Sequence, residues 1–305
     1  METISSSGMV SIIMTTYNRA QLIGESIQTV IDQTYANWEL IIVDDGSEDE
    51  TKEIIAQYPD KRIQYYYVEH SGLLGVARNF GMRKANGEYI AFQDSDDLWR
   101  KDKLDFQINL FGQHPDSYFA LSNNNQFGVN AVHPPEYQKL FVGNLFLPML
   151  EHHRFHFCGT SLIFKKEVLL KIGFLEETIA MMRELHFFFR MSHEFTGIFS
   201  NERLVNVRRH NQNTSNNYKV NANINMLKML EEFFNDNLLS KKTFTNLKGA
   251  CLYKIALVNI EQQEYEKANV SLKKYITTNP WDWKGWARLV QSAYNKLLNK
   301  GATTS

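Results

Sequence analysis

The fold class is indicated by the stretch Trp38-Glu39-Leu40-Ile41-Ile42-Val43-Asp44-Asp45-Gly46-Ser47, in which an aliphatic run ends abruptly in a polar, turn-forming group. Leu40–Val43 is apolar throughout, which is typical of a strand buried on both faces. Ser47 and Glu50 have the spacing of a capping box, which predicts a helix that continues to about Tyr58. The stretch is therefore predicted to be a buried strand, a polar turn and a helix.

The same strand and helix pattern occurs on both sides of this stretch. Apolar runs alternate with segments whose apolar residues have helical spacing, and Asn86-Gly87 breaks the chain before a fourth strand. This alternation predicts an α/β fold with a mostly parallel sheet and flanking helices. The predicted pairs are Val10–Met14 with Gln21–Gln33 and Ile63–Val68 with Gly75–Ala85, and the fourth strand is Tyr89–Phe92.

Polar clusters follow three of the predicted strands. Thr15–Asn18 comes after the first, Asp44-Asp45 after the second and Asp94–Asp97 after the fourth. Ligands of parallel sheets bind at the carboxyl ends of strands, so the pattern predicts one site built from three loops. The aspartates could hold a divalent cation that stabilises a departing diphosphate. The alternative is a polar turn in which Asp97 caps the next helix.

Composition limits the classes of partner and compartment. The 305 residues include 33 Lys and Arg against 34 Asp and Glu, a formal net charge of -1, which argues against nucleic acid as a partner. Cys158 and Cys251 have no paired spacing, which is typical of a reducing compartment. With neither a long apolar segment nor a secretion signal in the sequence, we expect a cytoplasmic protein.

The sequence pattern of the C-terminal part differs from that of the first 210 or so residues. Asn211–Asn225 contains seven asparagines and is predicted to be a linker or mobile loop, and helical spacing follows from Met226 to Asn299. We therefore expect domains at 1–215 and 216–305, the second an α-helical appendage that loosely resembles a tetratricopeptide hairpin. The appendage could pack on the first domain or form a homodimer. The tryptophans of Trp281–Trp286 fit packing between helices best, and the alternative is a peripheral contact with the inner membrane face.

Several motifs, in this order, resemble the family-2 glycosyltransferases of the GT-A fold. The resemblance covers about 100 residues and implies a nucleotide-sugar half at 9–100 and an acceptor half at 101–215. It also implies an inverting enzyme that uses a nucleotide-activated sugar with Mn²⁺ or Mg²⁺. The motifs are Val10–Arg19, Gln33-Thr34-Tyr35, Trp38–Ser47, Ala77-Arg78-Asn79 and Gly87–Asp97.

The resemblance assigns roles to individual positions. It implies a metal site at Asp94, Asp96 and His210, and Val207-Arg208-Arg209-His210 resembles a family loop that closes over the diphosphate through Arg208 and Arg209. The residues implied in nucleotide binding are Thr15, Tyr17, Asn18, Arg19, Asp44, Asp45, Arg78, Asp94 and Ser95.

The acceptor half departs from the family pattern. Gly173–Glu177 resembles the family's lead-in, and Arg183–Arg190 aligns by its final arginine, which puts Glu184 where the family has its catalytic aspartate. A glutamate can still remove a proton from a sugar hydroxyl, so Glu184 is the predicted general base. The alternative is an ordinary carboxylate near a helix N-terminus, favoured there by the helix dipole.

The resulting prediction is a hexosyl- or N-acetylhexosaminyltransferase. We expect a UDP-sugar donor and a hydroxyl of a carbohydrate, lipid-linked or protein acceptor, in polysaccharide, glycolipid or glycoprotein assembly. The alternative is a non-catalytic nucleotide-sugar-binding scaffold, because Arg183-Glu184 replaces the usual Glu-Asp pair. A dinucleotide-dependent oxidoreductase is disfavoured, since Thr15–Asn18 stands where such proteins have a glycine-rich turn.

Overall fold

The computed structural model describes residues 8–137, 139–152, 157–177, 183–210 and 219–302. The chain divides into two compact units, Met1–Asn211 and Gln212–Ser305. The strands of the first unit are β1 (Val10–Thr16), β2 (Trp38–Asp44), β3 (Ile63–Tyr67), β4 (Tyr89–Asp94), β5 (Leu98–Trp99), β6 (Phe119–Gly128), β7 (Leu140–Gly143), β8 (Ile163–Lys165) and β9 (Gly197–Arg209). Its helices are α1 (Ile23–Ile31), α2 (Thr51–Ile55), α3 (Leu74–Lys84), α4 (Lys103–Gln113), α5 (Phe146–His152), α6 (Val168–Ile172) and α7 (Arg183–Glu194), and a 3₁₀ turn covers Gly159–Ser161.

The strands of the first unit form one mixed sheet in the order β3-β2-β1-β4-β8-β6-β9-β5, and β7 also pairs with β9. The four strands β3, β2, β1 and β4 run parallel, as predicted. Antiparallel β8 joins them to β6, which runs parallel to β9. The predicted α/β class, a mixed, mostly parallel sheet with flanking helices and a helical C-terminal region, is confirmed.

Apolar strand residues are buried on both faces of the sheet. Ile12 and Ile42 on one face share a buried cluster with α1 and α4. On the other face α3 approaches closely at Gly81, where a Cβ atom would lie 2.6 Å from Ile13 Cγ2. Covering both faces explains why the strand segments read as continuous apolar runs rather than alternating ones.

The predicted capping box at Ser47 is wrong. Helix α2 begins only at Thr51, whose N–H donates to Asp49 Oδ1 at 3.1 Å. The Ser47 hydroxyl instead accepts the N–H of Asn18 at 2.9 Å, across the turn that follows β1. A long-range partner therefore uses the oxygen that a local cap requires, so the helix starts later than its sequence pattern suggests.

Glu39 holds the amino-terminal edge of the sheet together. Its carboxylate is 6% exposed and accepts the Ser11 hydroxyl at 2.6 Å, the Asn86 N–H at 2.7 Å and the Gln64 amide at 2.9 Å. Ser11 in turn accepts the N–H of Gly87 at 2.8 Å. One buried charge thus joins β1, β2, β3 and the turn before β4, which fixes the register of the parallel strands.

The second unit consists of helices α8 (Lys219–Asn235), α9 (Lys241–Glu261), α10 (Tyr265–Thr278) and α11 (Trp283–Ala302). Its core includes Leu252, Tyr275 and Ile276. Residues 211–218 of the predicted linker lie outside the described residues, and the linker prediction is wrong for 219–225, which begin α8. None of the helices in the described ranges is long and apolar enough to cross a membrane.

The prediction that the tryptophans pack between helices is also wrong. Trp281, Trp283 and Trp286 are 95%, 70% and 50% exposed. Helix α11 instead turns its Gly285 side toward α10, where a Cβ atom would lie 2.7 Å from the Tyr275 ring. The close approach needs the smallest residue, so the bulky indoles are left on other sides of the helix.

Replacing Glu39 by Gln tests whether its buried carboxylate stabilises the amino-terminal edge of the sheet. The change puts a donating amide among the donors of Gln64 and Asn86, so we expect the free energy of unfolding at pH 7 to fall by about 2 kcal/mol. Burial raises the pKa of Glu39, but the hydrogen bonds from Ser11, Asn86 and Gln64 lower it by more. The net pKa of Glu39 therefore lies below its ordinary value of 4.5. The stabilisation by Glu39 is complete above the pKa that this residue has in the unfolded chain. It is lost as the pH falls through the lower pKa that Glu39 has in the folded protein.

Urea unfolding at several pH values measures this effect. The difference between wild type and Glu39→Gln should be largest at pH 7 and should shrink below about pH 4.5. Glu53→Gln, an exposed position on α2, is the control and should stay within about 0.5 kcal/mol of wild type. If the difference in the free energy of unfolding between wild type and Glu39→Gln is independent of pH, the Glu39 carboxylate does not stabilise the sheet edge as proposed.

Candidate functional site

The carboxyl ends of the parallel strands meet at one edge of the sheet. Thr15 on β1 lies opposite Val43 of β2 on one side and Asp94 of β4 on the other. Thr16 lies opposite Asp44. The structure therefore brings together the three polar loops that follow β1, β2 and β4 in the sequence.

The first two loops are tied to each other by reciprocal hydrogen bonds. Asn18 has a φ of 49°, a left-handed conformation that asparagine tolerates better than most residues. Its N–H donates to Ser47 Oγ, and its Oδ1 accepts the N–H of Glu48 at 2.9 Å. Next to it, the Arg19 guanidinium lies 4.0 Å from the Asp96 carboxylate of the third loop. Asn18 orders the loops, and its predicted nucleotide contact stays a prediction.

The aspartate pair after β2 is buried and hydrogen-bonded. The Asp44 carboxylate accepts the N–H of Ser47 and the hydroxyl of Tyr65, both at 2.8 Å. Burial, and then the hydrogen bond to Asp44, raise the pKa of Tyr65. Asp45 accepts the N–H and the hydroxyl of Ser71 at 3.0 and 2.9 Å. Both aspartates therefore organise the loops around the predicted nucleotide site.

An aromatic stack stands beside the aspartates. The Tyr17 and His70 rings are stacked with centroids 4.2 Å apart, and His70 Nδ1 lies 2.7 Å from the Asp45 carbonyl oxygen and 3.1 Å from its carboxylate. His70 is not among the residues predicted from the sequence. It follows β3, whose carboxyl end lies at the same edge, so the rule that identified three loops should have been applied to the fourth strand end as well.

Arg78 joins the two halves of the first unit. The Arg78 side chain is 3% exposed; its Nη1 donates to Glu184 Oε1 at 2.9 Å and its Nη2 to Asp94 Oδ1 at 2.7 Å. Burial lowers the pKa of Arg78, but the Glu184 and Asp94 carboxylates raise it above its ordinary value. Because the cation is held charged in a buried place, it neutralises a carboxylate from each half.

The turn after β4 concentrates negative charge. Burial, and then the Asp94 and Asp96 carboxylates, raise the pKa of Asp97 well above 3.8. Asp97 Oδ1 accepts the N–H of Arg208 at 2.9 Å, and Asp96 Oδ2 lies 2.9 Å from His210 Nε2. Asp97 therefore joins β9 to this turn instead of capping a helix.

The predicted metal ligands lie in two places. Asp96 and His210 form one pair, whereas Asp94 is bound to Arg78 and Ser95 is buried next to it. Within the described ranges, no group of three or more His, Cys, Asp or Glu residues is arranged to hold a metal ion. Any cation bound by Asp96 and His210 therefore needs other ligands, such as water or phosphate oxygens.

The two predicted diphosphate arginines contact different partners. Arg208 Nε donates to the Asp96 carbonyl oxygen at 3.1 Å and its Nη2 to Glu25 at 2.6 Å. Arg209 Nε donates to Gln126 on β6 at 3.0 Å. Neighbouring residues of a strand point to opposite faces, which separates the pair. Arg208 lies at the acidic turn, and a role for Arg209 in binding diphosphate stays a prediction.

A turn within residues 101–215, the predicted acceptor half, borders Glu184 and was not indicated by the sequence motifs. A Cβ atom on Gly159 would lie 3.9 Å from Glu184 Cγ. The next residue, Thr160, donates its hydroxyl to Gln93 Oε1 at 3.0 Å, and Trp99 Nε1 donates to the Thr160 carbonyl oxygen at 3.1 Å. These bonds position the Gly159–Ser161 turn between β4 and Glu184, and no local pattern in the sequence indicates it.

Comparison with known proteins gives consistent matches. Residues 11–173 match the family described as glycosyl transferase family 2. The chain is 30% identical over 253 residues to an uncharacterised glycosyltransferase of Rickettsia typhi, covering 80% of this chain and 76% of that protein. It is 39% identical over 138 residues, 43% of this chain and 54% of the relative, to a UDP-Glc:α-D-GlcNAc-diphosphoundecaprenol β-1,3-glucosyltransferase of Escherichia coli. Staphylococcus aureus TarS in complex with UDP-GlcNAc has the same fold, with a TM-score of 0.72 over 97% of this chain and 92% of that chain, at 19% identity.

Arg78→Met tests whether the buried guanidinium holds the site together. Without it Glu184 and Asp94 lose their shared cation, so we expect the free energy of unfolding to fall by roughly 2 kcal/mol; Asp94 is 41% exposed, which keeps the loss below that of a fully buried pair. Glu184→Gln should cost less stability in the Arg78→Met background than in wild type, a coupling of about 1 kcal/mol in urea unfolding.

Arg83→Met provides the matched control for Arg78→Met. Arg83 lies on the same helix, is 54% exposed and pairs with Glu177 at 3.5 Å. We expect its loss to change stability by less than about 0.5 kcal/mol. Equal losses for the two variants, or strictly additive costs for Arg78→Met and Glu184→Gln, contradict the bridging role of Arg78.

Proposed function

This chain belongs to glycosyl transferase family 2 and is a glycosyltransferase, and from that premise we propose that it transfers a sugar from a UDP-sugar to a hydroxyl acceptor with inversion. The observation that carries the proposal is the bridge made by Arg78 between Glu184 and Asp94. It fixes a carboxylate of the acceptor half beside the acidic turn of the nucleotide half, where the acceptor and the donor diphosphate have to meet.

Glu184 is the proposed general base. Its side chain is 24% exposed, and Arg78 Nη1 donates to its Oε1 at 2.9 Å. A carboxylate that is held in position through one oxygen and is partly exposed can accept a proton from a hydroxyl. The substitution of glutamate for the family's aspartate is therefore compatible with catalysis.

Asp96 and His210 fit a divalent cation as two of its ligands. Asp96 Oδ2 and His210 Nε2 lie 2.9 Å apart, and a carboxylate oxygen and an imidazole nitrogen are both atoms that could hold a divalent cation. Such ions commonly take one or two protein ligands and complete their shell with water and substrate phosphates. When bound, Mn²⁺ or Mg²⁺ supplies Lewis acidity that stabilises the charge developing on the diphosphate.

The proposed reaction is a single displacement. The acceptor hydroxyl gives its proton to Glu184, and its oxygen forms a bond to the anomeric carbon while the bond from that carbon to the diphosphate breaks. The bonding electrons leave with UDP. Arg208 and Arg19, which already lie at the acidic turn, would help to balance the negative charge that arrives with the diphosphate.

The relatives suggest the class of substrate. TarS binds UDP-GlcNAc, and the Escherichia coli relative uses UDP-Glc and a diphosphoundecaprenol acceptor. For this chain we accordingly propose a UDP-hexose or UDP-N-acetylhexosamine donor and a lipid-linked or carbohydrate acceptor. The Tyr17–His70 stack offers an aromatic surface for the uracil base.

Glu184→Gln tests the catalytic assignment. With Mn²⁺ and a panel of UDP-sugars and hydroxyl acceptors, we expect kcat for UDP release to fall by about 10² to 10⁴ fold, with little change in KM for the donor. Glu202→Gln, at a glutamate that also pairs with an arginine, should keep wild-type rates. Normal turnover by Glu184→Gln would remove the general base. UDP binding by wild type without turnover would favour a non-catalytic scaffold.

Mn²⁺ binding can be measured without turnover, from the electron paramagnetic resonance signal of free Mn²⁺ in the presence of UDP. We expect Asp96→Asn and His210→Ala each to weaken binding about 10-fold or more, because each removes a direct ligand. Asp102→Asn, a partly exposed aspartate paired with Arg100, is the control and should bind as wild type does. Unchanged binding by both site variants would place the cation elsewhere.

A further inference from the structure

Helix α11 and the turn before it present apolar side chains to solvent. Trp281 is 95% exposed, Trp283 70%, Trp286 50% and Val290 67%; these four residues are called the tryptophan face. Trp283, Trp286 and Val290 are spaced three and four residues apart, so they lie along one side of the helix. A group of three exposed indoles is unusual, because tryptophan normally buries most of its surface.

The tryptophan face is held in place by specific hydrogen bonds. Asp282 accepts the N–H of Lys284 at 3.0 Å, which caps α11, and it also accepts the Tyr275 hydroxyl of α10. Trp286 Nε1 donates to the carbonyl oxygen of Pro280 at 3.0 Å. The exposed indoles are therefore presented by an ordered turn, which lowers the entropy lost on binding.

Charge indicates what could cover this face. Helix α11 contains Lys284, Arg288, Lys296 and Lys300 and no acidic residue, although the whole chain has a formal net charge of -1. Lys284 and Arg288 are exposed; Lys284 lies between Trp283 and Trp286 in the sequence, and Arg288 lies between Trp286 and Val290. Basic residues beside exposed tryptophans match an anionic lipid surface, where indoles settle at the headgroup level and cations meet phosphates.

We propose that the tryptophan face docks this protein on the surface of a bilayer that contains anionic phospholipid. A second copy is a poorer occupant, because it would bring two helices of the same strong positive charge together. The proposal does not rest on transferase activity, since it concerns a surface of the second unit alone. If the acceptor is lipid-linked, residence at a bilayer also raises its local concentration around the enzyme.

Co-sedimentation of the full chain with vesicles tests the proposal, without donor or acceptor. We expect binding to phosphatidylcholine vesicles that contain 30% phosphatidylglycerol, little binding to pure phosphatidylcholine, and weaker binding at higher salt. Trp281→Ser with Trp283→Ser, and separately Lys284→Glu with Arg288→Glu, should each weaken binding roughly 10-fold or more. The replaced side chains are exposed, so the fold should persist, which circular dichroism checks.

Two matched double variants serve as controls. Leu170→Ser with Val270→Ser removes two other exposed apolar side chains, and Lys241→Glu with Lys242→Glu reverses two exposed charges elsewhere in the second unit. Both should bind vesicles as wild type does. Absence of vesicle binding by wild type, or equal loss in the controls, overturns the proposal. So does a dimer in solution that Trp281→Ser with Trp283→Ser dissociates, because that would make a second copy the occupant.

Discussion

The site depends on one buried guanidinium. Arg78 lies at a point where Glu184 and Asp94 approach from different halves of the first unit, and its two Nη atoms bond one carboxylate each. Two carboxylates brought this close repel each other in a partly desolvated place, so the arrangement requires a cation between them. A guanidinium fits better than an ammonium, because its planar fork can bond both partners at fixed angles.

The same constraint extends along the acidic turn after β4. Burial first, and then the Asp94 and Asp96 carboxylates, raise the pKa of Asp97, which reflects the cost of burying a carboxylate next to two others. Cationic or donating groups from distant parts of the chain offset that cost: Arg208 from β9 and His210 just after it. Strand β9 returns to this edge of the sheet through its parallel pairing with β6. The topology thus supplies the donors that the turn requires.

In the second unit, the packing of helix α11 against α10 determines which of its side chains are exposed. Helix α11 lies close to α10 at Gly285, where a Cβ atom would lie 2.7 Å from the Tyr275 ring, and the tryptophans are exposed on other sides. Trp283, Trp286 and Val290 are apolar and have helical spacing, yet all three are exposed, so helical spacing alone does not identify the buried side of this helix. An exposed aromatic stripe on a basic helix fits a lipid interface better than a protein core.

The sequence by itself determined the parallel core, because apolar strands buried on both faces and polar strand ends are local patterns that need no tertiary information. Motif order also singled out Arg78, Asp94, Asp96 and Glu184 as candidate site residues. Tertiary structure alone decided what each of them contacts, since Arg78 and Glu184 are 106 residues apart. His70, just after β3, lies at a strand end and fits the same local pattern. Local patterns misplaced the cap at Ser47 and predicted buried tryptophans, because each of these outcomes depends on which distant group competes for the same oxygen or helix face.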